Sequence, residues 1–103
     1  MNADEIREME AGREMDTLVA EKVMGWSPIT YETDDNGWQP STDIADAMQI
    51  FECDKFNHFV VDRVDDRSER YQARCATPFF AESAWSDTAP LAICRAALLT
   101  ALE

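Results

Sequence analysis

The sequence predicts an α+β fold: a small antiparallel sheet of two or three strands packed with three helices, in the order α-β-α-β-β-α. Three stretches space their apolar residues as amphipathic helices do, and two shorter stretches alternate as strands do. A sheet that small cannot bury its own apolar face and three helix faces unless the helices pack against it. At 103 residues the chain holds one domain, residues 1–103, with one modest core. A hydrophobic fraction of 46% supplies that core.

The first helix is expected between Ile6 and Met24, where Met15, Leu18, Val19 and Val23 fall at helical spacing with Glu14, Glu21 and Lys22 between them. Gly25 stands where a glycine ends a helix, and Gly12 weakens the first turns, so residues 1–12 are expected to fray as an extension. The segment "WSPITYETDDNGWQP" is too long for a minimal connector, and Ile29, Tyr31 and Thr33 alternate within it as a short strand. A second helix follows in "PSTDIADAMQIFECD". Ser41 or Thr42 caps it, Asp43 and Asp46 occupy its first turns, and Ile44, Ala47, Met48 and Phe51 form its apolar stripe.

"HFVVDRV" and "RYQARCA" read as two strands joined by the polar "DDRSE". In the second strand Tyr71, Ala73 and Cys75 face one side, for burial, and Arg70, Gln72 and Arg74 face the other, toward water. "TPFFAESAWS" reads as a loop. Asp87 or Thr88 then caps the last helix, and Pro90 sits in its first turn, where a missing N–H costs little. That helix is apolar on almost every side and must be covered all round, which predicts a homodimer.

Charge restricts function. The chain carries −12 at neutral pH, and residues 1–54 alone carry −11, from fourteen Asp and Glu against three Lys and Arg. Such a surface repels phosphate backbones, so nonspecific DNA or RNA binding is disfavoured, while a basic partner is attracted. No run reaches the roughly 18 apolar residues of a membrane span, and the acidic "MNADEIREME" does not resemble a secretory leader, so a cytoplasmic protein is expected. Cys53, Cys75 and Cys94 are widely spaced with a single histidine, His58, in the chain. Reduced, buried thiols are expected, with no metal and no cofactor. His58 is the only histidine base for any serine, carboxylates are too abundant to single out an acid/base pair, and no phosphate-binding or metalloprotease motif is present.

Candidate sites rest on a few residues. Arg95 falls in the leucine face of the last helix with no carboxylate three or four residues away, so its partner must come from elsewhere in the fold or from outside it. An internal ion pair with Asp16, on the inward side of the first helix, is expected ahead of one with Asp43. One alternative joins Arg95 to Arg74 as a receptor for an anionic ligand, since guanidinium suits bidentate recognition of phosphate or carboxylate, and another places Arg95 at the rim of a subunit interface. Trp26, Tyr31, Trp38 and Trp85 lie outside the expected regular elements, where large aromatics either plug the core edge or bind something.

Three blocks, "REMDTLVAEKVMGW", "PSTDIADAMQIF" and "DTAPLAICRAALL", resemble the motif blocks of the phage ABA sandwich domain family, in that order and with a hairpin between the last two. The resemblance spans about residues 13–102, and the chain is more distantly similar to phage NinX-like proteins. It implies a small phage or prophage accessory protein with an α/β/α arrangement and no established chemistry. Asp16, Trp26, Asp43, Pro90 and Arg95 match the family pattern, whereas Met48 and Tyr71 stand where tryptophans are usual. Two functions are weighed ahead of a third, a cryptic enzyme. One is a noncatalytic module binding a host or phage protein through the acidic, aromatic segment 26–40; the other is a binder of a small nucleotide-like ligand using Arg74 and Arg95 with stacking from Trp26 or Tyr31.

Overall fold

The computed structural model describes residues 3–25, 39–52, 56, 58–63, 71–77 and 81–102. The stretch expected to fray contains a helix, α1 (Ala3–Glu8), whose Ile6 is fully buried. Gly12 takes φ 156°, a conformation L side chains rarely adopt, and so divides the long helix expected there. Beyond it α2 (Arg13–Leu18) widens into a π-helical turn, Val19–Val23, where the Met24 N–H donates to the Val19 carbonyl at 3.1 Å. Met15, Val19, Ala20 and Val23 face inward, and Gly25 follows at φ 72° in the expected glycine position.

Trp26, Tyr31, Trp38 and the strand expected at Ile29–Thr33 lie outside the described residues. The next helix, α3 (Ile44–Met48), continues as a 3₁₀ turn, Gln49–Glu52. Its cap is Asp43, not Ser41 or Thr42: the carboxylate accepts from the N–H groups of Ala45 (2.8 Å) and Asp46 (3.3 Å). The stripe also differs. Ser41 is pinned to α2, and the helix that follows turns Ala47 and Ile50 inward, leaving Ile44 and Met48 49% and 45% exposed.

Three strands form one antiparallel sheet in the order β1 (His58–Arg63), β2 (Tyr71–Ala76), β3 (Ala81–Ser86). The third was expected as a loop, because "AESAWS" lacks the branched residues that mark strands. An unbroken ladder from Tyr71↔Ser86 to Ala76↔Ala81 makes it a strand, and its small Ala84 lies beside Ala73 on the buried face. Alternation in β2 is as expected: Ala73 and Cys75 are buried and Arg74 is exposed.

The last helix, α4 (Ala89–Leu102), packs on β2 and β3, while α1, α2 with its π-helical turn, and α3 pack against α4. Every residue from Leu91 to Thr100 is buried as a result. The helix is covered all round within one chain, so its apolar surface gives no ground for the expected dimer. Even its hydroxyl is used: Thr100 Oγ1 lies 2.9 Å from the Ala96 carbonyl and 3.2 Å from that of Cys75, which ties α4 to the sheet.

Candidate functional site

Arg95 lies midway along α4 and is only 9% exposed. The Asp16 tie expected for it is not the one found. The Arg95 guanidinium donates from Nε (3.1 Å) and Nη2 (2.8 Å) to the Met9 carbonyl, and from Nη1 (2.7 Å) to the Trp85 carbonyl. Met9 follows α1, where carbonyl oxygens lack helical partners and carry the negative end of the helix dipole. Trp85 belongs to β3, at the edge of the sheet. One cation thus caps a helix and holds a strand edge, which explains how it sits in an apolar helix that offers it no carboxylate three or four residues away.

Asp16 is engaged elsewhere. Its Oδ1 accepts the Ser41 N–H at 2.8 Å, while Ser41 Oγ accepts the Gly12 N–H at 3.0 Å. The knot fixes the start of α2 to the segment before α3. Burial raises the Asp16 carboxyl above its ordinary value, opposed by the Ser41 bonds and aided by the nearby Asp46 charge. With a raised native pKa, the folded state holds more protons at this site than the unfolded chain just above the usual carboxylate range. Its contribution to stability therefore falls as pH rises through that window. Asp16→Asn keeps an oxygen acceptor for Ser41 and removes the charge. Chemical denaturation at several pH values is expected to show the variant gaining on the parent from about pH 4 upward and then levelling off. A pH-independent difference would contradict this.

A recess of about 130 Å³ opens beside Arg95, lined by Arg7, Ser83, Ala84, Trp85 and Arg95. Pockets for drug-sized ligands run to about 300–1,000 Å³. Arg7 pairs with Glu82 at 3.6 Å, and Arg95 spends donors on two carbonyls. Arg74 does not line the recess: it stands exposed opposite Ser83, on the face of the sheet away from α4. The structure therefore does not bring Arg74 and Arg95 together. Asp43 is exposed and serves as a helix cap.

Cys75 and Cys94 are buried free thiols, and Cys53 lies outside the described residues. Burial pushes the Cys75 thiol up to about 12, and burial with the nearby Asp16 charge raises that of Cys94. Both stay protonated at neutral pH. In the native protein, labelling of these two by a disulfide reagent is expected to be far slower than in denaturant; equal rates would show that the core opens readily. Among the described residues no three His, Cys, Asp or Glu side chains converge as a metal site would require.

Residues 17–98 match the sequence pattern of the phage ABA sandwich domain. The chain belongs to that family. The fold of this phage ABA sandwich protein is similar to a crystal structure of a phage protein from Bacillus cereus ATCC 14579. The TM-score is 0.70 at 24% identity, covering 90% of this chain and 94% of the other. No curated protein matches it. No helix among the described residues of the phage ABA sandwich protein is long and apolar enough to cross a membrane.

Besides β3 and α1, three features escaped the sequence: the Ser41 knot, the carbonyl partners of Arg95, and the outward turn of Ile44 and Met48. The spacing of Ile44 and Met48 predicts that they share a face but not which way that face points.

Proposed function

We propose that this phage ABA sandwich protein is a noncatalytic accessory protein that binds a host or phage protein through an acidic surface. The observation that carries the reading is the placement of charge. Residues 1–54 hold −11 of the −12, and Asp4, Glu8, Glu10, Glu14, Asp43 and Glu52 among them are exposed. A field of one sign steers an oppositely charged partner and rejects nucleic acid. The small-ligand reading has less support. Its two arginines are apart, and the recess beside Arg95 is small for a nucleotide.

The test is affinity capture from infected-cell lysate by the full chain, compared with a variant in which Glu10, Glu14 and Asp43 are neutralised to Gln, Gln and Asn. A specific partner is expected to be held at about 50 mM salt, released at about 500 mM, and lost from the variant. Identical retention by both proteins at both salt concentrations would count against the reading.

A further inference from the structure

The large hydrophobic side chains that stand exposed in the described structure are Ile44, Met48 and Phe59, the last 42% exposed. Scattered singly, exposed apolar residues mean little. Here they adjoin. Ile44 and Met48 are four apart on α3, and Phe51, three residues beyond Met48, stacks on Phe59 of β1 with ring centroids 3.8 Å apart and planes 3° from parallel. The cause is visible in the fold: α4 covers β2 and β3, so on β1 the same face of the sheet is met by Phe51. A continuous apolar strip running from a helix to an edge strand marks a binding surface.

We infer that this strip docks a partner protein segment carrying apolar anchors flanked by lysine or arginine. The inference rests on the protein-binding reading above and assigns its surface. Charge selects the occupant. Asp43 directly precedes Ile44 and Glu52 directly follows Phe51, both carboxylates are exposed, and residues 39–52 contain no Lys or Arg. The cation of β1, Arg63, stands four residues beyond Phe59, about 13 Å along the strand. A second copy docked through a two-fold axis would set these carboxylates against their own kind, whereas basic flanks would complete them. Met48 suits such a role, because an unbranched thioether adapts its shape to what it meets.

The test uses the full chain as bait for a surface-displayed library of random peptides of about twelve residues, the length of a short docking helix. Selected peptides are expected to carry two or three apolar residues beside Lys or Arg. Their Kd should rise about tenfold or more in the charge-conserving double variant Ile44→Gln, Met48→Gln, as for truncation of an interface centre. Selected peptides without basic residues, undiminished binding to the double variant, or no selection at all would overturn the inference. So would sedimentation showing a dimer that the double variant abolishes, since a second copy would then be the occupant. A lysate partner that the double variant still holds leaves the protein-binding reading standing and removes only this surface. Loss of both peptide and lysate binding in the parent chain removes both.

Discussion

Arg95→Ala is expected to lower stability by about 2–4 kcal/mol in chemical denaturation, the range for losing charge-assisted hydrogen bonds and leaving their acceptors under-satisfied. The side chain removed is nearly buried and joins Met9 to Trp85, so its loss frees the end of α1 and the edge of β3 together. Arg95→Lys should recover less than half, because one compact ammonium cannot span two carbonyls as the guanidinium fork does. The decisive companion is Asp16→Asn. If Arg95 and Asp16 have separate partners, as the Ser41 bond indicates, the two changes should add with a coupling below about 0.5 kcal/mol. A coupling well above about 1 kcal/mol would reinstate an ion pair between them.

Leu98→Ala should cost about 2–5 kcal/mol, the range for emptying a filled core site. Leu98 is fully buried in α4, the helix on which the sheet and the other helices converge. Against a total stability of about 5–15 kcal/mol for a domain of this size, that loss threatens the folded state at physiological temperature. Ile44→Ala, by contrast, should change stability by about 0.5 kcal/mol or less, since the side chain is half exposed. Thermal melts of the two variants side by side would show the difference, and similar melting temperatures would place the core elsewhere.

Much of the fold was legible because its signals are local. The alternation of Tyr71, Ala73 and Cys75, the proline at position 90 and the glycine at position 25 each act through their own backbone or nearest neighbours. What escaped depends on distance. β3 is a strand through its ladder to β2, which its own composition of alanine, serine and glutamate does not advertise. Ser41 looked like a helix cap, yet its amide serves Asp16 across 25 residues. Arg95 was recognisable as a cation needing a partner. The partner could not be named, because backbone carbonyls occur at every position and leave no mark in the sequence.

The central position of α4 has a consequence for how the chain acquires its shape during synthesis. Every other element in the described structure precedes α4 in the chain, and α1 meets its anchor, Arg95, across 86 residues. Contacts of such long separation close late, since the entropy of the intervening loop is lost before they form. A ribosome that has delivered everything up to β3 has made helices with apolar faces and a sheet whose cover does not yet exist. Such a chain exposes apolar surface, and the domain is expected to fold as a unit once "APLAICRAALLTAL" is free to cover the sheet.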